Sequence, residues 1–217
     1  MSKPLLVIGN KNYSSWSLRA WLMLKHAGVD FDEVFIPLRA EGSKEMLTTY
    51  SPAGKVPAYR EGDLLVWDSI AIAEYLYETH PQLWPAQRAA RACARSVSAE
   101  MHSGFTALRR LMPMNIRAQE RKVTITPELE ADISRIKMIW RELRAQYAAA
   151  GPWLFGDYTI ADAMFAPVAF RFLTYGVSEA GAVDGYVQTV AHDPLIQPWV
   201  AASKLEQEVL AASEVGN

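Results

Sequence analysis

An α/β layer followed by an all-helical domain is the fold class this sequence predicts, and three observations carry it. Short apolar runs bounded by turn formers alternate with helical periodicity as far as residue 80. Beyond Pro81 no strand pattern competes with helical spacing, and Gln82-Leu83-Trp84-Pro85 between the two regions reads as a linker. The chain has 217 residues, of which 50% are hydrophobic and 11% aromatic, enough to bury a core and offset chain entropy. Its 22 Lys and Arg stand against 24 Asp and Glu, a net charge of −2. That balance excludes broad electrostatic attraction to nucleic acid or to an anionic membrane.

Leu5-Leu6-Val7-Ile8, ending at Gly9, reads as a buried strand because it is brief and closed by a turn former. From Ser15 or Ser17, Leu18, Trp21, Leu22 and Leu24 recur at helical spacing, with Ser as a good N-cap and Gly28 as the stop. Val34 and Ile36, flanked by Phe31 and Phe35, form a second strand closed by Pro37. A βαβ order makes these strands parallel and places the loop after the first at the carboxyl edge, where ligands are held. Residues 44–50 allow a short helix. Val56-Pro57-Ala58-Tyr59 and Leu64-Leu65-Val66-Trp67 pair as a hairpin around Glu61-Gly62-Asp63. Asp68-Ser69 opens an amphipathic helix through Ile70, Ala73, Leu76 and Tyr77 that ends near His80-Pro81. The first 80 residues therefore spell βαβαββα, the thioredoxin-like order. The remainder predicts helices at roughly 86–112, 127–150 and 160–175, with a capping box at Thr159-Ile160-Ala161-Asp162. One or two short helices and a frayed tail follow, punctuated by Pro194, Pro198 and Gly216. The expected partition is 1–80, a linker at 81–86, and 87–217.

Redox chemistry in a thioredoxin-like domain needs a thiol at the tip of the first helix, where the dipole stabilises thiolate. Ser14-Ser15-Trp16-Ser17 stands there instead, and the single cysteine, Cys93, lies in the other domain. A serine cannot exchange disulfides, but its O–H can donate to the thiolate of a bound thiol and lower that thiol's pKa. Helix capping is the other use of these serines. Val56-Pro57, preceded by Ser51-Pro52-Ala53-Gly54-Lys55, falls where a cis proline would free the Val56 N–H and C=O for a peptide-like ligand; an ordinary edge proline is the plainer reading. Asp68-Ser69 sets a carboxylate and a hydroxyl at a helix N-terminus, suited to the ammonium and carboxylate of an amino-acid end, or to a simple N-cap.

In this order and spacing, the three features and the Gly156-x-x-Thr159-x-x-Asp162 segment resemble the glutathione transferase family over essentially the whole chain, and the serine motif is most similar to the zeta-class Ser-Ser-Cys-Ser. The resemblance implies that Ser14 or Ser15 holds the glutathione thiolate. It further implies that Lys55 and Val56 bind the cysteinyl-glycine backbone, that Pro57 is cis, and that Asp68 with Ser69 grips the γ-glutamyl end. Trp16 replaces the zeta-class cysteine associated with maleylacetoacetate isomerisation, which favours conjugation of a hydrophobic electrophile. A zeta-like isomerase or dehalogenase, or a non-catalytic transferase-like interaction or stress protein, is the alternative. The electrophile site is expected between the domains, with Trp16, His102 and Met112 as pocket candidates. Met112 shares helical spacing with core positions, and a helical histidine is more often packed or solvated. Glutathione enters as co-substrate and no metal is implied, since His26, His80, His102 and His192 are scattered and no metalloprotease, P-loop or dinucleotide motif is present. The lone cysteine and an N-terminus without a long apolar run predict a cytoplasmic protein with no membrane anchor. The family resemblance implies a homodimer.

Overall fold

The computed structural model describes residues 3–216. Its first part follows the expected order: β1 (Leu5–Ile8), α1 (Ser15–Ala27), β2 (Asp32–Phe35), α2 (Ser43–Tyr50), β3 (Ala58–Glu61), β4 (Leu64–Trp67) and α3 (Ser69–Thr79). The four strands lie in the order β2-β1-β3-β4, with β1 parallel to β2 and antiparallel to β3. The continuous apolar run of β1 fits its inner place, where Leu6, Val7 and Ile8 are buried. Gly28, at φ +73°, ends α1, and the Val29 N–H turns back to Leu24 O at 3.0 Å. Only a residue tolerant of the left-handed region makes this stop without strain.

A short 3₁₀ turn at Pro81–Leu83 leads into the helices α4 (Arg88–Ser103), α5 (Thr106–Leu111), α6 (Pro127–Tyr147), α7 (Ile160–Tyr175), α8 (Ala182–His192) and α9 (Gln197–Leu205). The most apolar of these, α7, packs against α1, α4 and α8 and is buried along almost its whole length. A helix hydrophobic all round belongs in the interior. Beside it Trp140 of α6 meets Phe172 and Tyr186 with ring centroids 5.2 and 4.8 Å apart. The two parts are joined by apolar and polar contacts alike. Trp21 of α1 lies 5.3 Å from Trp199 of α9, and the Trp199 indole donates to Lys11 O at 2.9 Å. The capping box forms, with Asp162 accepting the Thr159 N–H at 2.8 Å. No helix among the described residues is long and apolar enough to cross a membrane.

Three expectations are corrected. The helix anticipated over 86–112 is broken after Ser103: Gly104 is extended and Phe105 sits at φ +58° before α5 begins. The break is held from both sides. Arg109 donates to the Met101, His102 and Gly104 carbonyls left open at the end of α4, and Asp132 of α6 accepts the Leu108 N–H of α5 at 2.9 Å. The tail is the second correction, because residues 206–216 are tied down. Glu206 accepts the N–H groups of Lys11 and Asn12. Glu214 accepts from Tyr13 Oη at 2.6 Å, Asn115 Nδ2 at 2.8 Å and Arg121 at 2.6 Å, while Arg117 donates to the Glu206 and Glu208 carbonyls. A segment whose polar groups are paired in this way does not fray. The last turn expected of α6 is a 3₁₀ turn at Ala148–Ala150.

Candidate active site

The Asn10–Tyr13 loop after β1 delivers Ser14 and Ser15 to the N-terminus of α1, where the first helical N–H groups are open. Ser14 is the N-cap: its Oγ accepts the Ser17 N–H at 3.3 Å and lies 2.8 Å from Ser17 Oγ, which in turn accepts the Gly9 N–H at 3.0 Å. Ser15 accepts from Arg171 Nη2 at 3.4 Å. Capping and ligand binding are compatible: Ser15 keeps a rotatable proton while Arg171 anchors its oxygen, whereas the Ser14 O–H donates to Ser17 Oγ and meets a ligand only by turning away from it, which leaves the cap on the Ser17 N–H in place. Both serines line a cavity of about 400 Å³, with Lys55, Val56, Arg109 and Arg171 on its other walls.

A second cavity, of about 510 Å³, adjoins the first across Trp16, Lys55 and Val56, and is lined also by Pro57, Asp68 and Ser69. The Val56–Pro57 peptide is cis. The Val56 N–H and C=O make no hydrogen bond among the described residues, so an extended ligand backbone could pair with them. Asp68 stands at φ +74°, which turns its carboxylate over the end of α3, where Oδ1 accepts the Ile70 N–H at 2.8 Å. The Ser69 hydroxyl is buried with no partner among the described residues. A buried orphan hydroxyl at a helix N-terminus facing a cavity suits a carboxylate.

The structure thus brings together Ser14, Ser15, Trp16, Lys55, Val56, Pro57, Asp68 and Ser69 around two adjoining cavities. It does not place the other two candidates in the electrophile pocket. Met112 is sealed in the core, with its carbonyl accepting Arg171 Nε at 2.8 Å, and Pro113 and Met114 line the cavity instead. His102 lies against Asp68 and Trp16 and is not among the residues that line either cavity.

Sequence reasoning reached Arg109, in the polar stretch from Arg109 to Asn115, but passed over Arg19 and Arg171, which cluster with it. Arg171 and Arg19 are 4% and 0% exposed, and none of the three guanidinium nitrogens of Arg19 has a partner among the described residues. The Trp16 ring meets both neighbouring guanidiniums, with that of Arg19 4.5 Å and that of Arg109 4.9 Å from its centroid. Burial first, then mutual repulsion, pushes Arg19 well below the usual arginine value and Arg171 down to about 9. Arg171 therefore stays charged at neutral pH, and with Arg109 on the same wall it makes this end of the first cavity attractive to an anion. The readable signal was a lone arginine in an otherwise apolar helix, as in Phe170-Arg171-Phe172, since a charge there is rarely buried without a task. The tail also contributes, for Leu210 and Ser213 close the outer wall of the first cavity.

Known proteins share this architecture. Residues 13–79 match the family model described as the glutathione S-transferase N-terminal domain, and residues 126–202 match its C-terminal domain. The chain is 30% identical over 178 residues to a probable maleylacetoacetate isomerase of Caenorhabditis elegans, covering 77% of this chain and 78% of that one. It is 27% identical to glutathione S-transferase Z2 of Arabidopsis thaliana, covering 72% and 74%. Among solved structures, a Burkholderia glutathione transferase homologue with bound glutathione superposes with a TM-score of 0.70 at 24% identity, covering 94% of this chain and 99% of that one.

Proposed function

The chain belongs to the glutathione S-transferase family, and we propose that it holds glutathione across the two cavities and activates its thiol with Ser14 or Ser15. The observation that carries this reading is the convergence of two serine hydroxyls, a free Val56 backbone edge and an orphaned Ser69 hydroxyl on adjoining cavities. Glutathione supplies the sulphur nucleophile. The protein's part is to orient and to stabilise charge. Asp68 takes the γ-glutamyl ammonium, Ser69 and the open N–H groups of α3 take its carboxylate, and Lys55 with Val56 fixes the cysteinyl-glycine backbone. The serine O–H groups and the α1 dipole then favour the charged sulphur over the neutral thiol. Bringing two reactants into one cavity supplies the remainder of the rate.

The second substrate is an electrophile with an apolar body seated near Trp16, Pro113 and Met114. The arginine cluster favours a second reading, glutathione-dependent isomerisation of a carboxylate-bearing substrate, because an anion would meet Arg109 and Arg171 in the same cavity. Calorimetric titration with reduced glutathione and an S-alkyl glutathione, with thiolate absorbance followed across pH, tests the common premise. Saturable binding and a bound thiol pKa below that of free glutathione are expected; binding of neither ligand overturns the reading. Comparing kcat/KM for a neutral and a carboxylate-bearing electrophile of the same reactivity then chooses between the two. The protein is further proposed to be a cytoplasmic homodimer. Sedimentation at micromolar concentration should return twice the mass of one chain, and a monomer mass would reject the dimer.

A further inference from the structure

His102 has no part in the transfer step just described, yet from the helical region it reaches the carboxylate that reads the γ-glutamyl end. It stands on the last turn of α4, with Nε2 3.4 Å from Asp68 Oδ2 and its ring edge-on to Trp16 at 5.3 Å. Its Nδ1 is buried with no partner among the described residues. Asp68 is a divided group. Its Oδ1 is engaged by the Ile70 N–H as the cap of α3, so Oδ2 is the oxygen left for a ligand, and that is the one His102 faces.

We propose that His102 is a positioning residue for glutathione: when neutral it steadies Asp68 Oδ2 beside the second cavity, and when protonated it takes that carboxylate from the γ-glutamyl ammonium. The proposal rests on the reading of Asp68 as the ammonium acceptor. An imidazolium and an ammonium are rivals for one carboxylate oxygen, whereas a neutral imidazole donates a single hydrogen bond and leaves the oxygen's other lone pair free. The charged groups that face His102 are Asp68 at the head of α3, Arg19 of α1 and Arg109 of α5. Burial foremost, and then the two guanidiniums, hold the imidazole below its usual value of 6.5 against the pull of Asp68. The steadying form therefore prevails at neutral pH, and the competing form gains only as the solution becomes acidic.

The thiol of glutathione would itself titrate when bound, so the probe is S-methylglutathione, whose other groups hold their charge between about pH 5 and pH 7.5. Calorimetry on the wild-type protein is expected to show affinity falling roughly fivefold over that range, the size of one partly exposed ion pair. His102→Gln keeps an amide donor without a titrating charge, and its affinity is expected to stay level between about pH 7.5 and pH 5. By reciprocity, saturation with S-methylglutathione lowers the midpoint of the His102 ring resonance in the wild-type protein, a readout that needs no variant. A wild-type affinity as level as that of the glutamine variant, or a midpoint that stays or rises, overturns the proposal. Failure of the wild-type protein to bind S-methylglutathione near pH 7.5 instead overturns the glutathione reading on which it stands.

Discussion

Replacing both Ser14 and Ser15 by alanine is expected to lower kcat with glutathione by roughly 10²- to 10³-fold, the scale of losing preorganised donors to a developing anion. The two hydroxyls are the side-chain donors at the mouth of α1, and both lie on the wall of the first cavity. Without them the helix dipole and its open N–H groups persist, so some activation survives. KM for glutathione should change much less, because Lys55, Val56, Asp68 and Ser69 are untouched. The pH at which rate rises should move upward toward the pKa of free thiol, so the loss is greatest in mildly acidic solution and shrinks as pH increases. The single variants separate the roles. Ser14→Ala also removes the cap on Ser17 N–H, with about 1 kcal/mol of stability, whereas Ser15→Ala removes only a hydroxyl that Arg171 anchors. Unchanged turnover of the double variant on a glutathione-dependent assay would refute serine activation.

Asp162→Ala is expected to cost about 3–5 kcal/mol of stability, read as a fall in the urea midpoint with an unaltered slope. Its carboxylate is wholly buried and accepts from the Leu154 N–H, the Thr159 N–H and hydroxyl, and the Tyr186 hydroxyl, at 2.8–3.0 Å. Alanine would leave all four donors in the interior without an acceptor and would uncap α7, the helix on which α1, α4 and α8 pack. The charge itself is a liability. Burial pushes Asp162 up from 3.8 to about 6, against the four donors that favour ionisation. The folded chain therefore binds this proton more tightly than the unfolded chain, and the contribution to stability declines as pH rises between those two values, then levels off. Asp162→Asn should abolish that slope while retaining part of the hydrogen bonding. An alanine variant with wild-type stability would remove Asp162 from the determinants of the helical core.

The order of elements was legible because local chemistry writes it: the run Leu5–Ile8, the Gly28 stop, the Asp68 cap and the Thr159–Asp162 box each act within a few residues. The interruption between α4 and α5 was not, since a lone Gly104 is tolerated inside a helical pattern and the groups that hold the break, Arg109 and Asp132, come from later in the chain. The same division runs through the site. Serines, Val-Pro and Asp-Ser are turn and cap motifs with fixed neighbours. The Arg19, Arg109 and Arg171 cluster exists only once α1, α5 and α7 converge, and the true neighbours of His102 are Asp68 and Trp16, on other helices. Met112 was a pocket candidate by its place between the domains, whereas its helical spacing pointed to the core, and the core is where it lies.

The tied-down tail has a consequence for biosynthesis. The proposed glutathione cradle draws on residues made early, between Ser14 and Ser69, but Leu210 and Ser213 line the wall of the neighbouring cavity, and Glu206 and Glu214 fasten the tail to the loop that carries Ser14. These residues emerge from the ribosome after every other part of that wall. A nascent chain can therefore complete the elements that carry the cradle while the neighbouring cavity still stands open on the side that Leu210 and Ser213 line.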